Sequence, residues 1–408
     1  MSRIDELIKD LAPGGVQRAA LGEVGEFIRG NGLQKADLRE GGVPAVHYGQ
    51  IHTYYGVWTT EAKSFTDGEI AAKLRHARPG DLLIATTSED DGAVAKATAW
   101  LGDTDVVLSG DAYIYRHELD PKYVSYFFQS TSFQDQKRRF ISGTKVRRVS
   151  GDSLAKIRIP VPPLEVQREI VRILDQFTQL EAELEAELEA RRRQYEHYRQ
   201  RLIDEVKAPR VSIRSLGQWR GGITPSKSNA TYWDGGDIPW LASMDVSDES
   251  TNEIRGRVTS RALDETSLKV VAAPSVPVVM RSNILRRRLP IGYVDIDTTV
   301  NQDIRALVPG DGVSARYIYQ VLRADSERIR STCVRTDGSM AAVDSKLFFE
   351  WTVPLPSLEE QASIAARLDH FDSLVNDLSV GLPAELAARR KQYEYYRDKL
   401  LTFKGATA

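Results

Sequence analysis

The amino-acid sequence says the same thing twice, and that repetition limits the folds open to it. Residues 159–203 read IPVPPLEVQREIVRILDQFTQLEAELEAELEARRRQYEHYRQRLI, and residues 353–401 read VPLPSLEEQASIAARLDHFDSLVNDLSVGLPAELAARRKQYEYYRDKLL. Each copy leaves a proline-rich strand, passes a Gln and an LD-x-F segment, and closes on a basic Gln-Tyr-Glu stretch that runs to Leu202-Ile203 or Leu400-Leu401. A period of about half the chain implies two related halves, not one continuous core. The correspondence extends beyond the helices, at a nearly constant offset of about 195 residues. ALGEVGEFIRG from Ala20 answers SLGQWRGGITP from Ser215, and GGVPAVHYGQI from Gly41 answers GDIPWLASMDV from Gly236. ARPGDLLIATT from Ala77 aligns with AAPSVPVVMRS from Ala272, and LDPKYVSYFF from Leu119 with VSARYIYQVL from Val313.

Even the ends fit. ELIKDLAP from Glu6 resembles RLIDEVKAP from Arg201, so the N-terminus reads as the continuation that the last helix would have had, as in a cyclic repeat. The expected organisation is an N-terminal segment, residues 1–13, that completes the distal helical region, then a first globular domain, residues 14–158. A central helical region follows over 159–207, a second globular domain over 208–352, and the distal helical region over 353–404.

In the central helical copy Ile170, Ile173, Phe177, Leu180, Leu184, Leu188, Tyr195, Tyr198 and Leu202 recur at three- and four-residue steps, which draws one apolar stripe along a helix. Ile364, Leu368, Phe371, Val375, Leu378, Leu382, Leu386, Tyr393, Tyr396 and Leu400 do the same in the distal copy. Two such helices of about forty residues, each on the order of 60 Å long, pack most simply as an antiparallel coiled coil. Such a pair is a rigid spacer between two domains. Pro160, Pro162 and Pro163, and again Pro354 and Pro356, give each an extended entry, after which Leu164 and Leu358 begin the helical pattern. The distal copy holds about four extra residues around Gly381 and Pro383; such an insertion shifts supercoil phase, and a proline kinks or breaks a helix. An irregular helix and a short loop between two helical pieces are both compatible with that stretch.

The globular segments mix strand and helix patterns irregularly, which predicts an α+β fold. DLLIATT, DAYIYR and IRIPV read as strands and PKYVSYFFQS as a helix; VPVVMR, IGYVDI, IRALV and FEWTVPL read as strands and ARYIYQVLRAD as a helix. A single cysteine, Cys333, excludes a disulfide framework and a cysteine-rich metal site. No run approaches the apolar length of a membrane span, and MSRIDELIKDL has no signal-peptide centre, so a cytoplasmic protein is expected.

The net charge of −2 conceals an uneven distribution. Glu181, Glu183, Glu185, Glu187 and Glu189 crowd the central helix and offset basic clusters elsewhere. One cluster is Lys137, Arg138, Arg139, Lys145, Arg147, Arg148, Lys156 and Arg158; another is Arg281, Arg286, Arg287 and Arg288. Both lie in the globular segments, where a phosphate-contacting face would be. The six histidines have no metal-ligand spacing, and no glycine-rich phosphate loop with lysine occurs. FIRGNG, ending at Gly32, superficially resembles the glycine loop of S-adenosylmethionine-dependent methyltransferases. Its counterpart WRGGIT breaks the spacing and no Asp/Asn-Pro-Pro-aromatic motif is present, so these glycines read as turn residues.

WRGGITPSKSNATYWDGGDIPWLASMDV, the DGS at Asp337, and IPVPPLEVQ and VPLPSLEEQ leading into LD-x-F helices together resemble the specificity subunit of type I restriction-modification systems. The resemblance covers nearly the whole chain. The first copy carries KADLREGGVPAVHYGQ where the second has TPSKSNATYWDGGDIPW, as two different half-sites would require. The resemblance implies a subunit without bond chemistry that selects an asymmetric, two-part double-stranded DNA sequence. It implies two modification (methyltransferase) subunits as partners, sometimes two translocating endonuclease subunits, and no membrane. No cofactor would be bound by this chain; S-adenosylmethionine and ATP with magnesium would belong to the partners. Each recognition domain would read one half-site through the major groove, and helix length would set the spacer between half-sites.

On this reading the candidate DNA-binding elements are the matched loops Ser142 to Arg148 and Thr336 to Lys346. Glycine permits close backbone approach, Thr144 and Ser339 bond phosphates or base edges, and Lys145, Arg147 and Arg148 suit phosphates or guanine. Arg138, Arg139, Lys227, Arg281, Arg286, Arg287, Arg288 and Arg335 complete the candidate set. The tyrosines of the stripes, Tyr195, Tyr198, Tyr393 and Tyr396, are either plain coiled-coil core or acceptors for helices of the modification subunits.

Overall fold

The computed structural model describes residues 3–246, 254–376 and 381–403. Backbone contacts divide the chain into two units: residues 1–183 with 386–408, and residues 184–385. Each unit therefore combines one globular domain with a stretch of the central helix and a piece of the distal helical region.

In the first unit a five-stranded sheet runs in the order Gly25–Arg29, Ala112–His117, Leu82–Ala85, Lys96–Trp100, Trp58–Thr59. A four-stranded sheet runs Ser64–Thr66, Val43–Val46, Val106–Leu108, His76–Ala77. Leu82–Ala85 is buried at every position, as expected of a run covered on both faces. In the second unit the matching sheets are smaller: Gly217–Gly221, Ile304–Pro309, Val276–Val279 in one, and Gly256–Val258, Ile238–Leu241, Thr299–Val300 in the other. One pair of the second sheet is parallel in both units, Val43–Val46 with Val106–Leu108 and Ile238–Leu241 with Thr299–Val300. In each unit an entry strand pairs antiparallel with the exit strand before the helix, Gln17–Ala20 with Arg158–Val161 and Arg210–Ser212 with Thr352–Pro354.

IGYVDI does not form the expected strand. Ile291 and Val294 make only isolated bridges, to Val278 and Ser275. Pro290 has no N–H to give a ladder, which limits continuous pairing there. FEWTVPL is also divided: its Phe and Glu end a helix, Ser345–Glu350, whose start is capped by the Asp344 carboxylate accepting from Lys346 N and Leu347 N, and the strand begins only at Thr352.

The central helix is continuous over Leu164–Asp204. Val166, Ile170 and Leu174 are fully buried in the first unit, each contributing roughly 1.5–3 kcal/mol. In the same unit Phe177 stacks on Tyr396, with centroids 5.5 Å apart, and Arg390 Nε meets Glu181 at 2.6 Å. Residues rising along one helix thus meet residues falling along the other, an antiparallel pairing. The N-terminal helix Arg3–Leu11 joins this group, with Ile4, Leu7 and Ile8 in one cluster with Tyr393 and Leu401. In the second unit Tyr195 packs on Phe371 at 5.9 Å and donates its hydroxyl to Leu368 O.

The distal helical region consists of Leu358–Asn376 and Gly381–Leu400. Gly381 has φ +68°, and a Cβ there would lie 2.6 Å from Leu374 O, so only glycine suits the position. Pro383 falls in the first turn of the second piece, where its missing N–H costs no bond. Leu378 of the expected stripe lies outside the described residues.

One set of polar locks ties each globular domain to its helix, at a constant offset along the chain. Gln167 accepts from Asp120 N and donates to Pro162 O; Gln361 accepts from Ser314 N and donates to Pro356 O. The Tyr123 hydroxyl donates to Pro160 O and that of Tyr317 to Pro354 O. Lys122 pairs with Asp175 at 2.7 Å and Arg316 with Asp369 at 2.8 Å. The repeat is thus one of hydrogen-bonding roles as well as of letters.

Candidate nucleic-acid interface

In the first unit the loop Ser142 to Arg148 is a small hairpin. Arg147–Arg148 pairs antiparallel with Thr87–Ser88, and Ser142 and Arg148 exchange backbone bonds of 2.9 Å. Gly143 makes the tip possible: its φ is +91°, and a Cβ would fall 2.1 Å from Val146 O. Thr144, Lys145 and Arg148 are exposed around that tip. Arg147 serves the hairpin itself, since its Nε meets Asp91 at 2.7 Å and another nitrogen donates to Gly143 O. Arg139 is exposed at the end of the neighbouring helix, and Arg138 pairs with Asp135 on the surface at 3.0 Å.

Lys137 does not belong to this basic face. It is 1% exposed, and its Nζ donates to Gly92 O and Val94 O. Burial lowers its pKa to about 8, and it holds the turn before strand Lys96–Trp100. Arg158 is likewise structural, donating to Arg18 O across the entry and exit strands.

In the second unit Val334–Arg335 and Ala342–Val343 form the corresponding hairpin. It docks through Ser282 N to Ala341 O and Val343 N to Met280 O. Arg286 donates to Thr336 O and Gly338 O, fixing the shape of the turn that exposes Ser339 and Met340. Arg335 pairs with Asp344 and holds that carboxyl below its ordinary range. Arg281 meets Asp303 at 2.8 Å. Arg281, Arg286 and Arg335 are therefore brought together around the hairpin and spend donors on the protein; Arg287 and Arg288 are also exposed there. Lys227 is exposed on a separate turn, where Trp233 Nε1 donates to Ser226 O.

The helix-stripe candidates separate by depth. Ile170, Leu184, Leu188, Tyr195, Ile364, Leu368, Val375 and Tyr393 are buried. Ile173, Phe177, Leu180, Tyr198, Leu202, Tyr396 and Leu400 are half-buried, and Phe371 is 38% exposed. Within the second unit Tyr195, Tyr198 and Phe371 line a groove with Leu374, His197 and Arg201. The sequence reading missed Arg199, which is 2% exposed, lies over the Tyr195 ring and meets Asp372 at 2.9 Å. It also missed Met244, which is 84% exposed just beyond strand Ile238–Leu241. The Tyr-x-x-x-Arg spacing, repeated at Tyr393 and Arg397, was the available signal for Arg199; Met244 had none.

Among the described residues no group of His, Cys, Asp or Glu side chains is arranged to hold a metal ion, and no helix is long and apolar enough to cross a membrane. Cys333 is buried, and burial raises its thiol pKa.

The family model for the type I restriction modification DNA specificity domain matches residues 13–190 and again residues 206–388. The chain is 38% identical over 293 residues to the type I restriction enzyme EcoR124I/EcoR124II specificity subunit of Escherichia coli, covering 69% of this chain and 70% of that protein. It is 32% identical over 171 residues to the type I restriction enzyme MjaIX specificity subunit of Methanocaldococcus jannaschii, covering 40% of this chain and 38% of the relative. A solved chain from a study of complex assembly and conformational transition of the type I R-M system superposes with a TM-score of 0.70 at 18% identity, covering 95% of this chain and 97% of the other. That likeness shows a shared α+β fold. With two matched copies of the specificity domain spanning most of its length, the chain belongs to the family of type I restriction-modification DNA specificity subunits.

Proposed function

We propose that the chain is the non-catalytic subunit that selects DNA for a type I restriction-modification complex. Its first globular domain reads one half of a two-part double-stranded site and its second reads the other. It holds two methyltransferase subunits, joined in some systems by endonuclease subunits; S-adenosylmethionine and ATP with magnesium act on those partners. The observation that carries this reading is the pairing of a repeated frame with unlike tips. The same Gln, Tyr and ion-pair locks fix both domains, yet one hairpin offers Thr144, Lys145 and Arg148, and the other offers Ser339 and Met340. Identical frames suit identical partner subunits, and different tips suit different base sequences.

The hairpin residues Lys145, Arg148 and Ser339, with the flanking Arg139, Arg287 and Arg288, are the proposed DNA contacts. The half-buried aromatics Tyr198, Phe371 and Tyr396 are the proposed docking positions for partner helices. Footprinting of the chain with its modification subunit tests the proposal. Two protected segments separated by an unprotected spacer are expected, and a single contiguous segment or none would overturn it. The purified chain mixed with S-adenosylmethionine and DNA is expected to transfer no methyl group; transfer by the chain alone would refute the non-catalytic assignment.

A further inference from the structure

The FIRGNG turn of the first unit builds a crevice that the hairpin account leaves unused. Strands Val43–Val46 and Val106–Leu108 are parallel, and the turn lies across their carboxyl ends, the position at which open sheets with parallel strands present ligand crevices. Gly30 is required there, because a Cβ would sit 2.2 Å from Ser109 O. Arg29 is held by Nε donating to Gly110 O at 3.0 Å, and Arg75 by one nitrogen donating to Arg29 O at 2.8 Å. Asn31 clamps the same segment, accepting from Arg75 N and donating to Lys73 O. Both guanidinium groups are exposed and line an open crevice of about 500 Å³ together with His47.

His47 adds a neutral donor. Its Nδ1 accepts from Gly49 N at 3.3 Å, so the uncharged ring carries its proton on Nε2. Burial, helped by the nearby charge of Lys35, holds its pKa below the ordinary value, against the opposing effect of Asp111. Arg29, Arg75 and Lys35 outnumber Asp111, so the local balance of charge favours an anion.

We propose that this crevice seats one phosphate of the DNA backbone, gripped by Arg29 and Arg75 and bonded by His47 Nε2–H. The inference rests on the DNA-binding reading and adds a positioning contact distinct from the hairpin. His52 ties the two places together: it follows His47 on helix Tyr48–Thr53, and its Nε2 lies 2.9 Å from Thr87 O, on the strand that pairs with Arg147–Arg148. A phosphate fixed in the crevice therefore fixes the register of the hairpin on the duplex.

The corresponding turn of the second unit carries no matching arginine clamp. Gly222 takes the place of Gly30, and a Cβ there would fall 1.6 Å from Val300 O. The residues around that turn are tied instead by Thr224 to Gln302 at 2.5 Å and Asn301 to Ser243 at 3.1 Å, both uncharged pairs. The phosphate clamp is a property of the first domain.

The test is the affinity of the complex with its modification subunit for a duplex carrying both half-sites, measured over a salt series. Removal of one phosphate contact lowers the slope of log K against log salt by about 0.9. Arg29→Gln combined with Arg75→Gln is expected to show that loss, to weaken cognate and random duplex by similar factors, and to leave the methylated sequence unchanged. Lys35→Glu, an exposed change beside the crevice, is expected to weaken binding about threefold or more at low salt through charge alone, and it decides the matter if the double variant fails to assemble. An unchanged slope with full low-salt affinity for Lys35→Glu, or a changed methylated base in one half-site, would overturn the phosphate assignment. Failure of the unmodified complex to protect a two-part site would instead overturn the DNA-binding reading itself.

Discussion

Arg199 carries a full charge at 2% exposure, and its surroundings explain how. Asp372 accepts from Arg199 at 2.9 Å and from Arg323 at 2.8 Å, and Tyr195 covers one face of the guanidinium. Removal of one partner from a buried pair costs about 3–5 kcal/mol when the other charge is left uncompensated; of its carboxylate partners Arg199 would keep only Glu196, 61% exposed and at 3.2 Å, which places the loss at the low end of that range. Asp372→Ala is therefore expected to lower the stability of the second unit by about 3 kcal/mol in urea denaturation, while Asp369→Ala, which removes a more exposed partner of Arg316, costs less. His117 makes the first unit sensitive to acid. Burial lowers its pKa from 6.5 to about 4, so between those values the unfolded chain binds the proton that the folded chain refuses. The sign is then fixed: stability is full above about pH 6.5 and falls as the pH drops toward 4, by roughly 2 kcal/mol at pH 5 and roughly 3 kcal/mol at pH 4 for this group. Thermal melts at pH 7 and pH 5 should show that loss in the natural chain and a smaller one in His117→Phe.

Among the elements, the central helix was the most legible in sequence. Leu184 and Leu188 are buried where the three- and four-residue steps placed them. The hairpins were legible as loops but not as hairpins, since strands of two residues leave no periodicity to read. Charge was the least reliable guide. Lys137 looked like surface and lies inside, because two carbonyls satisfy its ammonium, and four of the arginines singled out in sequence, Arg147, Arg281, Arg286 and Arg335, turn out to fold the loops that they were expected only to decorate. The distinction is testable. Lys145→Gln with Arg148→Gln is expected to weaken DNA binding about tenfold at 0.1 M salt without moving the melting temperature. Gly143→Ala, which forces a Cβ against Val146 O, is expected to weaken binding similarly by distorting the tip, and to cost about 1–3 kcal/mol of local stability visible in amide exchange of residues 142–148.

For the molecule as a whole, repetition and divergence divide the labour. The halves share locks, entry and exit strands and the parallel strand pair; they differ in hairpin chemistry and in the arginine clamp that only the first carries. A chain in which the first globular domain, residues 14–158, is exchanged for that of another specificity subunit should keep one half-site and acquire a new one. The most direct test of the central claim is long-read, methylation-sensitive sequencing of DNA from cells that express this chain with its methyltransferase subunit. One asymmetric motif in two parts with a fixed spacer is expected, with an altered first or second part when residues of the corresponding hairpin are changed. A single uninterrupted motif, or methylation independent of this chain, would contradict it.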